Sequence, residues 1–254
     1  MRIRRGFNLL LLLIPILPTQ LWANPPPDDP LKSVQWITMY NLFLNKKPVV
    51  FDSRVNVIAP ESAEDSMHVP VVVRVNELTD IQEILIFADF NPLPKVLRFI
   101  PTHASPFIGF RLKLQQATPV RAAVLTPTGW HVGGVWIDAA GGGCTLPSAG
   151  RTANTWESTL GKIRGRLWTH ENTTRGKIQL MHPMDTGLVK GIPVFHLEKI
   201  LLTQADGQIL LQLEPFEPIS ENPIFTFEIP NNDTIIKLSA TDTNGNSFTG
   251  ELQK

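Results

Sequence analysis

The sequence has one cysteine, Cys144, so no internal disulfide can form. It has no excess charge of either sign, since Lys plus Arg and Asp plus Glu both count 23. That argues against a nucleic-acid binder and against electrostatic adhesion to a membrane. The six histidines are His68, His103, His131, His170, His182 and His196. None stands at a metal-ligand spacing from another or from Cys144, so no metal site is expected. No serine sits in a nucleophile elbow, and no Gly-rich phosphate loop opens a helix. After Ala23 no apolar run is long enough to span a bilayer.

What is present begins with a leader. Arg2, Arg4 and Arg5 precede an apolar stretch with an unbroken leucine run from Leu9 to Leu13, and Leu21-Trp22-Ala23 follows. This is the three-part pattern of a secretory signal peptide, residues 1–23, with cleavage expected after Ala23. An uncleaved anchor is the alternative. Three of the basic residues lie in the leader, so the mature chain is slightly acidic and is expected to be soluble. Export also bears on the cysteine. Exported proteins usually pair their thiols, and one left over suggests an intermolecular bond or a free reactive group.

Beyond a proline-rich start, Asp29-Pro30 is placed to cap a helix. Leu31, Val34 and Ile37 recur at helical spacing, which predicts one short helix over 31–44, with Trp36 and Tyr40 as packing residues. From Val55 the pattern turns to β. Strands are expected at 55–59, 69–75, 83–88, 95–99, 107–114, 120–125 and 130–138, rich in Val, Ile and Phe and bounded by Pro, Asn, Asp and Gly. A second set is expected at 162–169, 176–181, 195–202, 208–214, 224–229, 235–240 and 247–252. Asp206-Gly207 and Asn244-Gly245 are hairpin turns. Two runs of short strands without intervening helices predict an all-β chain of two immunoglobulin-like antiparallel sandwiches. The boundaries fall at 31–140 and 155–254, with a linker at 141–154.

That linker opens with Gly141-Gly142-Gly143-Cys144. Glycine has the most backbone freedom to lose, so three in a row favour motion over packing. A flexible segment of about fifteen residues has a root-mean-square span of roughly 20 Å. The expectation is a mobile arm carrying an exposed thiol. The alternatives are a small buried hydrophobe, the commoner role of a single cysteine, and a plain linker. A cysteine–histidine catalytic pair would need a rigid mount, which the triglycine works against. His182-Pro183-Met184-Asp185-Thr186-Gly187 and the loop from Pro215 to Pro223 read as sandwich edges packing on a neighbour.

The first β domain, ending in Ala-Ala-Gly-Gly-Gly-Cys, resembles SoxY, the sulfur-carrying subunit of the periplasmic thiosulfate-oxidising system. Val69-Pro70-Val71, Phe90-Asn91-Pro92 and Thr118-Pro119-Val120-Arg121-Ala122 carry the same resemblance. The second domain resembles SoxZ through the His182 run, Ile192-Pro193 and Ser220-Glu221-Asn222-Pro223. The whole is similar to fused SoxYZ-like carriers of the type associated with quinoprotein dehydrogenases. The resemblance implies a periplasmic carrier with no catalysis and no cofactor of its own. Cys144 would be the covalent attachment residue, Gly141, Gly142 and Gly143 the flexible arm, and the two domains would pair. Its partners would be sulfur-oxidising enzymes or a quinoprotein dehydrogenase, with no nucleic acid and no membrane after signal cleavage. In the family the cysteine lies almost at the free chain end. Here Thr145-Leu146-Pro147 follow, and the arm is tied at both ends. Two rivals remain at this point: an adaptor serving a periplasmic dehydrogenase, and a thiol enzyme.

Overall fold

The computed structural model describes residues 25–44, 47–149, 156–230 and 235–254. The expected leader and part of the expected linker lie outside the described residues. The first half carries β1 (Val49–Phe51), β2 (Val55–Ile58), β3 (Ser62–Ala63), β4 (Val69–Val75), β5 (Glu83–Ala88), β6 (Lys95–Ile100), β7 (Phe107–Leu112), β8 (Thr118–Thr126) and β9 (Gly129–Ala139). The second half carries β10 (Ile163–His170), β11 (Thr173–Leu180), β12 (Leu197–Gln204), β13 (Ile209–Pro215), β14 (Ile224–Pro230), β15 (Ile236–Asp242) and β16 (Ser247–Leu252). The chain is all-β, as the alternation of apolar residues predicts. In β4, for example, Val69, Val71, Val73 and Val75 are buried while Pro70 faces out.

The two sandwiches do not stand apart. A large sheet runs β1-β9-β8-β5-β6-β13-β12-β15-β16, and a second runs β10-β11-β14-β7-β4-β2. Both sheets therefore cross the boundary between the halves. Leu213 pairs with Phe99 and Glu214 with Arg98 where β13 joins β6. Thr226 pairs with Gly109 and Phe227 with Ile108 where β14 joins β7. The apolar core follows suit. Leu97, Phe99 and Ile108 of the first half belong to one buried cluster with Leu213, Phe225 and Phe227 of the second. Strand edges left open by one sandwich are closed by the other, which removes the liability of unpaired edge groups. Arg98 also reaches across to Glu214 at 3.0 Å.

The expected helix over 31–44 is corrected. Asp29 does not start a helix; its carboxylate accepts from the Leu31 and Ser33 amides and holds a turn. The helix, α1, is confined to Trp36–Met39 and widens into a π-type turn at Tyr40–Leu44. Its buried face is Trp36, Met39, Tyr40 and Leu44, while Val34 and Ile37 are 85% and 53% exposed. This aromatic face packs on Leu85, Phe87, Trp130 and Val132 of the large sheet. The sheet therefore has both faces covered here. Arg121, fully buried, fixes the segment by pairing with Asp29 at 2.7 Å and Asp89 at 2.9 Å. Burial alone would push the Asp29 carboxyl up, but the Arg121 guanidinium holds it below the usual carboxylate range. A second short helix, α2, spans Trp156–Thr159. Among the described residues no helix is long and apolar enough to cross a membrane.

Candidate functional site

Strand β9 ends at Ala139, and the chain then turns across the mouth of the first sandwich. Three glycines make that path possible, by a different property from the one the sequence suggested. Gly141 and Gly142 adopt φ of +99° and +84°, where side chains are strained. Gly143 lies so close to its neighbours that a Cβ would overlap the Ser66 carbonyl oxygen and come within 2.7 Å of that of Leu114. The segment is stitched down along its length. The Gly141 amide donates to Ser66 Oγ at 3.1 Å, the Gly142 amide to the Gln115 carbonyl at 3.1 Å, and the Gly143 amide to the Leu114 carbonyl at 3.0 Å.

The expectation of an exposed thiol is therefore corrected. Cys144 is 0% exposed. Its thiol donates to the Lys113 carbonyl at 3.6 Å, and its own carbonyl accepts from the Thr186 hydroxyl at 2.8 Å. The glycines serve close backbone approach, and the cysteine is seated where the two sandwiches meet. The surroundings are polar for a buried site. Asn91 Nδ2 donates to the same Lys113 carbonyl at 2.9 Å, and the Lys113 amide donates to the Pro218 carbonyl at 2.7 Å.

Lys113 is the residue that sequence reasoning missed. In the sequence it has no role beyond membership of a strand expected over 107–114. The strand ends at Leu112 instead, and Lys113 turns under the second sandwich, where it is 3% exposed. Its ammonium donates to the Met184 carbonyl and, at 3.3 Å, to the Glu217 carbonyl. No local signal separates this lysine from a solvated one, because its partners lie some seventy residues or more away in sequence.

The two motif runs of the second half build the other wall. His182 is buried, and its ring lies 4.4 Å from that of Phe195. Its Nδ1 accepts the Met184 amide at 3.1 Å, and its Nε2 faces Asp242 at 3.5 Å. Asn222 brackets the same backbone, its amide donating to the His182 carbonyl at 2.8 Å. These contacts hold Met184 at φ 51°, aiming its carbonyl at Lys113, and place Thr186 over Cys144. The His182 run and the arm thus meet in space.

Electrostatics keep the docked thiol quiet. Burial pushes Cys144 up to about 11, an effect the Lys113 charge only partly offsets. Burial lowers Lys113 to about 8, against the pull of Cys144, Asp185, Glu221 and Glu217. Near neutral pH the sulfur is a thiol and the lysine is mostly an ammonium. A thiol two units above its ordinary 9.0 carries about a hundredfold less of the nucleophilic thiolate.

Residues 39–144 match the family model described as sulfur oxidation protein SoxY, so the match ends on Cys144. Residues 166–253 match that of sulphur oxidation protein SoxZ. No curated protein matches the sequence. Among solved structures, the sulfur carrier protein SoxY from Chlorobium limicola f thiosulfatophilum is similar, with 21% identity over 40% of this chain and 88% of that chain and a TM-score of 0.35. With a SoxY domain followed by a SoxZ domain, joined through both of its sheets, the chain belongs to the SoxYZ-like sulfur-oxidation family.

Proposed function

We propose that the chain is a one-chain sulfur carrier, exported to the periplasm, in which Cys144 holds a sulfur species covalently. In this reading the docked loop is the resting state. Segment 140–149 leaves the seam to load and present its cargo, and partner oxidoreductases carry out the catalysis. The observation that supports the reading most is the seat itself. The only cysteine lies on a loop held by hydrogen bonds to Ser66, Leu114 and Gln115 of the first domain and by one from Thr186 of the second, not woven into a strand ladder. Undocking such a loop leaves the sheets intact, so local opening is far less costly than unfolding.

The chemistry is that of an ordinary thiolate once released. Attack on the outer sulfur of a donor persulfide forms Cys144–S–SH and expels the donor thiolate, with no net oxidation. Joining the thiol to thiosulfate forms a sulfur–sulfur bond and releases one proton and two electrons, which the partner oxidoreductase accepts. Redocking excludes the bare thiol from adventitious oxidants between cycles.

Intact-mass analysis of the protein from its native host tests the reading. A reductant-labile mass on Cys144 that follows the sulfur source is expected. Only unmodified or glutathione-capped Cys144, whatever the growth substrate, would overturn it. A second reading is favoured by the complete burial of Cys144: an adaptor associated with a quinoprotein dehydrogenase, in which the cysteine only packs the seam. That adaptor would keep its function after Cys144→Ser, whereas the carrier would lose it.

A further inference from the structure

The outer face of the smaller sheet carries a charge pattern unlike the rest of the molecule. Period-2 alternation puts Arg74 of β4, Arg111 of β7, Arg175 and Lys177 of β11, and Arg164 and Arg166 of β10 on this one face. Their neighbours on these strands, such as Val73, Leu112, Ile178 and Leu167, point into the core. The carboxylate in the same outward set is Glu228 of β14, which pairs with Arg175. The whole chain is neutral, so this face concentrates one sign of charge across both domains.

Two of these cations are placed in a way that costs stability unless something faces them. Arg166 sits directly opposite Lys177 in the β10–β11 register, a like-charge pairing that destabilises a sheet. Arg74 and Arg175 are held rather than free, with guanidinium carbons 4.7 and 5.1 Å from the centre of the Phe107 ring. Arg111, Arg175 and Lys177 border a shallow depression of about 330 Å³ with Val72, Phe107 and Ile224 in its floor.

We propose that this face is the docking surface for a protein partner that presents an acidic patch. The breadth of the face selects that occupant. From β4 to β10 the cations spread over about 19 Å, four interstrand steps, too wide for a small oxyanion. The centre is apolar and the rim is charged, the usual anatomy of a protein interface, whereas a phosphate backbone would leave the apolar floor unused. Position adds a reason. Arg111 precedes Lys113, the seat of Cys144, by two residues, about 7 Å of extended chain. A protein held on this face is therefore beside the thiol loop. Only the occupant's role, the enzyme that acts on Cys144, rests on the carrier reading.

The test titrates the purified Cys144→Ser chain with poly-L-glutamate in near-physiological salt, following backbone amide signals. Parallel titrations use a short DNA duplex and vesicles containing phosphatidylglycerol. Polyglutamate should perturb signals on β4, β7, β10 and β11 and bind more tightly than either alternative probe. Combining Arg111→Gln, Arg166→Gln and Lys177→Gln should weaken it about tenfold, the effect of losing three exposed ion pairs. Lys199→Gln with Lys237→Gln, on the other sheet, should leave binding unchanged. No binding, perturbation centred elsewhere, equal loss in both variants, or tighter binding of DNA or vesicles at this face would overturn the proposal. Because Cys144 is absent throughout, the result is independent of whether that residue carries sulfur.

Discussion

The Thr186 hydroxyl donates a 2.8 Å hydrogen bond to the Cys144 carbonyl, joining the loop that ends the first domain to the motif that opens the wall of the second. These residues are 42 apart in sequence and belong to different family models. The contact is a direct measure of whether the loop is docked, and it is easily removed.

Thr186→Val should loosen the loop without disturbing the sheets. A neutral hydrogen bond contributes about 1 kcal/mol, so reaction of Cys144 with a thiol-specific disulfide reagent should accelerate about fivefold. The measurement is the labelling rate under native conditions, with denatured protein as the reference. An unchanged rate would mean that this bond does not restrain the thiol.

The paired titrations of Cys144 and Lys113 predict opposite slopes of stability with pH. Cys144 is raised from 9.0 to about 11. Its protonated form is favoured by the fold, so its contribution is present below pH 9 and is lost as pH rises through 11. Lys113 is lowered from 10.5 to about 8. Its neutral form is favoured by the fold, so its contribution is present above 10.5 and is lost as pH falls through 8. Between about pH 9 and 10.5 the two oppose each other. Relative to the unaltered protein, Cys144→Ser should gain stability across pH 9–11, because the falling contribution is gone. Lys113→Met should lose the rise that begins near pH 8. Urea unfolding as a function of pH, compared among the three proteins, reads both slopes.

Gly143→Ala should be harsher than Gly142→Ala. At 143 the new Cβ would collide with the backbone carbonyls of Ser66 and Leu114, which cannot give way. At 142 nothing lies within 4 Å, and the cost is that of φ +84° alone, about 1 kcal/mol. The thiol of Gly143→Ala should react at close to the rate of an exposed cysteine, with the sheets still folded by circular dichroism. A Gly143→Ala protein as unreactive as the parent would show that the loop has another way to seat.

Separately expressed halves, 25–149 and 156–254, should recombine. Each half alone leaves two strands with open edges, β6 and β7 in one and β13 and β14 in the other, and exposes part of the shared core. Co-expression should give a stable one-to-one complex, and each half alone should aggregate or stay poorly folded. Two well-behaved monomers would contradict the continuity of the sheets.

The strand pattern was legible because burial on one sheet face writes itself into alternate residues. The Val69–Val75 strand appears in the sequence with the ends it has in the structure. The short helix was less legible. Leu31, Val34 and Ile37 have helical spacing but face solvent, and Trp36 and Tyr40 provide the packing. Periodicity reports spacing, not which side a neighbouring sheet occupies. The cysteine loop was legible as a place of interest and misjudged as a state. Glycine reads the same whether it confers freedom or permits close approach, and only the neighbouring carbonyls of Ser66 and Leu114 tell the two apart.

The sequence by itself determined that the chain is all-β, that it is built in two halves, and that a single thiol lies between them. These follow from local alternation and from counting one residue type. Only the tertiary structure decided that the halves share both sheets, that Lys113 lies buried beside Cys144, and that six cations gather on one face. Each depends on the two halves meeting, and contacts between residues seventy or more positions apart leave no trace in local spacing.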